Sequence, residues 1–367
     1  MSSRARFYLE CLSGKVFGTE SPYMTAKEIE THVEKLLNIG EDKVNEIRDI
    51  AREVCGPLKM EESFKKLDAI IGSLLGTRTT NLSSPNAIAR ANGEPYDAAR
   101  IELFTVLFEE LSAWTEKARP SRDTSGFSFR NSGFFDAYFS NFIEGTEFEI
   151  DEAKEIAFEN KIPDLRPADA HDILGTFRIV ANPNLMKTKV SQISPSDFLN
   201  LMKAWHLTIM GGRPDKRPGE FKEKGNQAGQ THFVEPGLVK ATLVRGFELS
   251  RGLRSPFGRA TFLMFLISEV HPFDDGNGRL ARAIANAELL SHNECRVIVP
   301  TVFRTEYLDA LRELSREREP RTLIRMADQA QEFTADIDFA DFDEARIRLT
   351  AWQAFDDTPR ARLRRPI

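Results

Sequence analysis

Apolar residues recur at helical spacing along most of this chain, and the alternation expected of strands is scarce. Residues 25 to 75 carry two charged amphipathic stretches, and a segment of small polar residues, Gly76 to Pro95, separates them from a helical pattern over Asp97 to Lys117. A loop is expected from Arg119 to Gly133. Next comes an aromatic stripe, Phe135, Tyr138, Phe139 and Phe142, at the spacing of one helix face, with Gly145 as the helix stop. Helices are expected over 151–160, 167–181, 195–210 (entered through Pro195-Ser196-Asp197), 238–250, 305–317 and 333–355. The pattern predicts an all-α protein.

Two segments break the helical period. Gly211 to Gly237 holds six glycines and three prolines. The other lies between apolar stretches at Thr261 to Val270 and Leu280 to Leu290 and reads His271-Pro272-Phe273-Asp274-Asp275-Gly276-Asn277-Gly278-Arg279-Leu280-Ala281-Arg282. It is a loop that opens a helix. Gly276 and Gly278 allow a tight turn with outward N–H groups, and the helix that follows adds its unpaired amides and positive dipole end. A polyphosphate suits that place. Arg279 and Arg282 lie three apart on the new helix, where two guanidinium groups can hold phosphate oxygens. Asp275 offers one hard oxygen ligand, which fits Mg²⁺ held by a carboxylate plus substrate phosphates and water. His271 can accept a proton near neutral pH.

These residues resemble the signature of the Fic family, His-x-Phe-x-(Asp/Glu)-Gly-Asn-Gly-Arg-x-x-Arg, met at His271, Phe273, Asp275, Gly276, Asn277, Gly278, Arg279 and Arg282. The resemblance implies a helical enzyme that transfers AMP from ATP to a protein Ser, Thr or Tyr hydroxyl. It implies His271 as base and Asp275 as Mg²⁺ ligand. Asn277 and the amides of Gly276 and Gly278 would hold the α-phosphate region, Arg279 and Arg282 the β- and γ-phosphates, and Phe273 would be buried beneath the loop. Upstream, Ser140-Asn141-Phe142-Ile143-Glu144-Gly145 is similar to the family's inhibitory pattern (Ser/Thr)-x-x-x-Glu-(Gly/Asn), which implies that Glu144 pairs with Arg282 and blocks the γ-phosphate. Pro218 to Val234 looks like the family's flap, whose strand edge could pair with an extended target segment. The family usually shows Tyr and Arg where this chain has Phe221 and Lys222, a departure that bears on how a target is held.

The expected organisation is an N-terminal helical region over 1–125, a Fic-type core over 126–325, and a C-terminal helix with a basic tail over 326–367. The core would contain the inhibitory helix near 133–145, a short β-hairpin flap near 219–235 and the catalytic loop 271–282. A net charge of −6 gives no footprint for nucleic acid, and only Arg360, Arg362, Arg364 and Arg365 are locally basic. Cys11, Cys55 and Cys295 are odd in number and widely spaced, as reduced thiols would be. The longest apolar run, Phe262 to Ile267, is too short to cross a bilayer, so a cytoplasmic location is the default. A calcium loop counted from Asp274 would put Gly276, Gly278 and Arg279 where oxygen ligands and a glycine are needed, which disfavours it. His32, His171 and His292 read as surface residues and His206 as packed or capping. Tyr307 reads equally as core or as pocket wall. The protein target, self-modification and a homodimer stay open. So do two alternatives: a bifunctional enzyme that also removes AMP, and a non-catalytic ATP-binding regulator.

Overall fold

The computed structural model describes residues 3–14, 24–115, 117–123, 126–358 and 361–364. The chain forms two compact units, Met1–Ala98 and Ala99–Ile367. The first holds α1 (Arg4–Leu12), α2 (Ala26–Leu37), α3 (Glu41–Cys55), α4 (Glu61–Leu74) and α5 (Pro85–Ala91) around Tyr8, Ile29, Val33, Leu67 and Ile71. Helix α2 starts at a capping box, in which Thr25 and Glu28 satisfy each other's backbone N–H.

The second unit holds α6 (Ala98–Ala113), α7 (Gly126–Ile143), α8 (Ile150–Glu159), α9 (Pro167–Val180), α10 (Pro183–Met186), α11 (Pro195–Ile209), α12 (Val239–Ser250), α13 (Pro256–Val270), α14 (Asn277–Ser291), α15 (Arg304–Glu317), α16 (Arg321–Ala335) and α17 (Phe342–Ala351). A hairpin of two short antiparallel strands, β1 (Gln227–Ala228) and β2 (Thr231–His232), pairs Gln227 with His232 and Ala228 with Thr231. Gly229, at φ +58°, makes its turn. Serine–proline steps start two helices of the core: Ser194 Oγ accepts from the Asp197 amide at 3.1 Å and Ser255 Oγ from the Gly258 amide at 2.9 Å, with proline at the first helical position.

Helix α13 is buried on almost every face, its Arg259 and Glu269 paired with Glu288 and Arg100, and it packs against α14, to which the intervening loop joins it. Around this pair stand α12, α11, α9 and α7. Phe135 and Phe139 of the α7 stripe interlock with Phe339, Phe342 and Phe355, and the neighbouring Phe134 packs on Phe158, which fixes α7 and hence Glu144 at its end. The fold is all-α: a helical core with a short hairpin, and an additional N-terminal helical region.

Several boundaries differ from those the pattern predicts. Helix α5 lies inside the expected loop Gly76–Pro95, started by Pro85 after Ser84. Helix α7 begins at Gly126 rather than near 133. Its first turns carry Ser128, Asn131, Ser132 and Gly133, which are buried: Ser128 and Ser132 donate to Asp123, Asn131 donates to the Phe339 carbonyl, and a Cβ on Gly133 would lie 2.8 Å from Ala181 Cα at the end of α9. The expected helix 333–355 is two helices, broken before Asp341, whose carboxylate caps α17 by accepting from the Asp343 and Glu344 amides at 2.9 Å. The unit boundary falls at Ala98/Ala99, not at 125. Nor does the core stop at 325, since Leu323, Ile324, Ala327 and Phe333 belong to the same apolar cluster as α13 and α14. Cys11, Cys55 and Cys295 are free and buried. His32 accepts or donates to the Tyr8 hydroxyl at 2.9 Å, and His292 joins Arg259 and Ser291, so neither is a bare surface residue. Of the basic tail, Arg360 and Arg365 lie outside the described residues. No helix among the described residues is long and apolar enough to cross a membrane.

The contact between α9 and α11 depends on Gly175, where a Cβ would lie 2.4 Å from the Thr208 carbonyl oxygen and 2.7 Å from that of Ile209. Backbone cannot yield as a side chain can. Gly175→Ala is expected to cost about 1–3 kcal/mol, and so to lower the thermal midpoint by roughly 2–4 °C per kcal/mol. Scanning calorimetry showing an unchanged midpoint would contradict this packing.

Candidate active site

The loop between α13 and α14 begins where His271 adopts a left-handed conformation, φ +51°, that ends α13. Its Nδ1 lies 3.2 Å from the Ser268 carbonyl. A carbonyl can only accept, so Nδ1 carries the proton and Nε2 keeps its lone pair. The ring stacks on Phe233 from the segment after β2, centroids 3.9 Å apart and 6° from parallel. Burial, with the neighbouring Lys222 charge adding to it, pulls the His271 pKa down to about 4.

The loop is braced from within. Asn277 Oδ1 accepts from the Phe273 amide and its Nδ2 donates to the Phe273 carbonyl, both at 2.9 Å, so the side chain is spent on shaping the turn. The Phe273 ring is fully buried and stacks on His206 at 3.8 Å. His206 accepts from the Gly219 amide through Nδ1, leaving its protonated Nε2 to donate to the Asp275 carbonyl, each at 2.9 Å. Burial draws its pKa to about 4 as well, which suits a ring required to be neutral. Gly276 sits at φ +73° with Met210 Sδ only 2.5 Å from where a Cβ would be, so glycine alone fits.

The charged residues divide into two pairs. Arg279 is buried and reaches Asp172 Oδ2 at 2.8 Å, and Asp172 is itself fully buried and also paired with Arg213. Arg279 does not line the cavity beside the loop. Arg282 does, together with Glu144, Gly278, His271 and Phe233. Its Nη2 donates to Glu144 Oε1 at 2.7 Å and to the Ser140 carbonyl at 2.9 Å, and its Nε donates to Ser140 Oγ at 2.9 Å. Burial alone would raise the Glu144 pKa, but the charges of Arg282 and Arg279 outweigh it and hold the carboxyl below its usual range. Glu144 Oε1 lies 2.1 Å from the position a Gly278 Cβ would take, so the carboxylate sits over the N-terminus of α14.

Asp275 uses Oδ1 to accept from the Gly276 amide at 2.7 Å, and its side chain is 40% exposed. No cluster of three metal-ligating side chains occurs among the described residues. The donor set is one carboxylate. The remainder of the cavity is apolar through Phe265, Leu308 and Leu311, and the buried Tyr307 lines it with its ring beside the Arg282 guanidinium. The structure thus brings Ser140, Glu144, His271, Gly278 and Arg282 together, with Asp275, Gly276 and Asn277 in the same loop and Arg279 behind it. Asp172, His206 and Asn226 were not legible as site residues. Each arrives from a distant element and carries no local spacing signal.

Residues 196–289 match the Fic/DOC family model. The chain is 27% identical over 250 residues to Protein adenylyltransferase Fic of Drosophila persimilis, covering 66% of this chain and 47% of the relative. It is 28% identical over 250 residues to the protein of the same name from Drosophila melanogaster, covering 66% and 48%. The chain therefore spans about half the length of these curated relatives. Its fold is similar to the crystal structure of a Fic domain containing signaling protein from Bacteroides thetaiotaomicron, at TM-score 0.50 and 14% identity over 67% of this chain and 97% of that one. The complete motif in the loop between α13 and α14 falls inside the stretch that matches the Fic/DOC family, residues 196–289, and over about two thirds of its length the chain is similar to proteins that carry the Fic name.

Proposed function

We propose that the protein transfers AMP from ATP to a Ser, Thr or Tyr hydroxyl of a protein and is held back by Glu144. The observation that carries this reading is the Glu144–Arg282 pair lying over the α14 N-terminus, beside a histidine whose Nε2 is unprotonated. A carboxylate in that position mimics the phosphate that the free amides, the helix dipole and Arg282 would otherwise take. The name of the relatives, Protein adenylyltransferase Fic, supports the same chemistry.

In this mechanism the acceptor hydroxyl gives its proton to His271 Nε2 as its oxygen forms a bond to the α-phosphorus of ATP. The bond from that phosphorus to the bridging oxygen of the β-phosphate breaks, and pyrophosphate leaves. The backbone amides of Gly278 and its neighbours face the phosphates, and Asn277 serves by holding the turn. Arg282 pairs with the γ-phosphate once Glu144 has moved. Arg279, anchored by Asp172, adds positive charge from behind the loop. Asp275 would hold Mg²⁺, since one part-exposed carboxylate is a fitting share for an ion that takes its other ligands from phosphate and water. When bound, that ion neutralises phosphate charge.

The test is a comparison of Glu144→Gly with wild type. Freeing Arg282 is expected to raise AMP transfer by roughly 5–150-fold, the equivalent of a coupling of about 1–3 kcal/mol. Glu144→Gly with Arg282→Ala should gain nothing, and His271→Ala in the Glu144→Gly background should lose roughly 10²–10⁴-fold while retaining ATP. Folded Glu144→Gly protein that labels targets at the wild-type level would end the inhibitory reading. A fall in labelling would instead favour Glu144 as a residue of AMP removal.

The buried base also makes a prediction about stability. The unfolded chain has His271 near pKa 6.5 and the folded one near 4, so below pH 6.5 the unfolded state binds more protons and stability falls with pH. At pH 5 this should cost on the order of 2 kcal/mol relative to pH 7.5. His271→Asn, which can still donate to Ser268, should lack that share of the slope. Equal slopes in urea denaturation of the two proteins would contradict a buried neutral imidazole.

A further inference from the structure

Four consecutive carbonyls around the histidine are captured by two residues of the flap. Lys222 Nζ lies 3.4 Å from the Val270 oxygen, and the Lys222 amide donates to Pro272 O at 2.9 Å. Asn226 Nδ2 donates to Phe273 O at 3.0 Å and reaches His271 O at 3.4 Å. The two side chains are themselves joined, Lys222 Nζ to Asn226 Oδ1 at 2.6 Å. The lysine is only 3% exposed, which is rare for a cation without a carboxylate in contact. Asn226 O in turn accepts from the Phe233 amide at 3.1 Å, and the Phe233 ring is the one stacked on His271. The lysine ammonium lies 5.9 Å from the centroid of that ring.

We infer that Lys222, acting with Asn226, is a positioning residue for His271, locking the left-handed turn of the histidine to the flap so that the imidazole and the flap move as one body. The inference rests on the reading of His271 as base. Its physical content is that a non-glycine residue at positive φ persists only where its surroundings over-determine it, and here hydrogen bonds to carbonyls 270–273 do so. A surface lysine would contribute little, but a buried one with fixed acceptors fixes the backbone that bears the base. The charged groups facing Lys222 are Glu235, Asp274 and Arg100, and those facing His271 are Lys222, Glu144 and Asp275. Burial lowers the lysine to about 8, so it is still mainly charged at pH 7. That charge disfavours the imidazolium and so acts on the base electrostatically as well as geometrically.

The experiment uses full-length protein in the Glu144→Gly background, with AMP transfer followed against pH and the His271 ring titrated by NMR. Lys222→Met should lower kcat on the order of 10²-fold, the usual consequence of a displaced catalytic group, with KM for ATP little changed. It should also move the His271 titration and the acid limb of the rate profile to higher pH. Lys222→Arg, which keeps charge and donors, should restore both. Asn226→Ala, which leaves the lysine charge in place, should lower kcat in the same way and serves if Lys222→Met does not fold. An unmoved His271 titration in folded Lys222→Met, unchanged kcat in folded Asn226→Ala, or a loss that arginine fails to restore would overturn the inference. Absence of AMP transfer in every variant would count against the transfer reading instead, and the His271 titration would then decide this inference alone.

Discussion

A histidine held at positive φ at the end of a buried helix is the constraint around which the Fic unit is arranged. Such a conformation costs on the order of 1–3 kcal/mol for a residue with a Cβ, and it gains nothing by itself. The surroundings hold it from three sides. Asn277 ties the turn from the following helix, His206 on α11 supports Phe273 and Asp275 from below, and Lys222 and Asn226 take the carbonyls from the flap. Only Gly276 fits against Met210, so the loop closes tightly enough to aim the N-terminus of α14 into the same cavity as the imidazole.

Two buried arginines then require two carboxylates, and those carboxylates differ in how far they are enclosed. Removing one partner of a buried ion pair leaves an uncompensated charge and is costly. Asp172 is fully enclosed, shared between Arg279 and Arg213, and has no route to solvent. Glu144 keeps 26% of its side chain exposed, stands at the end of α7 just before Gly145 at φ +84°, and can leave without opening the core. In the proposed mechanism a phosphate replaces Glu144 at Arg282, while Asp172 stays enclosed with Arg279. The near-equal lengths of the two pairs, 2.7 and 2.8 Å, therefore conceal unequal exposure.

The loop was legible because its parts are contiguous: turn, helix start, arginines and histidine lie within 271–282, where local spacing decides geometry. Ser140 and Glu144 could be read because one helix turn separates them and an aromatic stripe set the helix phase. Asp172, His206 and Asn226 could not, since each comes from a different element and only tertiary packing turns it toward the loop. Lys222 stood out in sequence only as a departure from the family's usual arginine, and its burial supplies the reason it matters. The start of α7 was read as a loop because Ser128, Asn131, Ser132 and Gly133 look like turn residues. Gly133 serves close packing against the end of α9, and the three polar side chains bond to Asp123 and Phe339, which no local pattern reveals. The helical content itself followed from apolar periodicity, but the break before Asp341 depended on a capping carboxylate that the same periodicity obscured.

The chemistry assigned to this arrangement is attack at the α-phosphorus, and the label retained by protein tests that directly. Folded Glu144→Gly protein, incubated with Mg²⁺ and either α- or γ-labelled ATP, should leave covalent label on protein from the α-position alone, with labelled pyrophosphate released from the γ-labelled nucleotide. Label retained from the γ-position, or nucleotide bound without any covalent label, would contradict transfer of AMP by this loop.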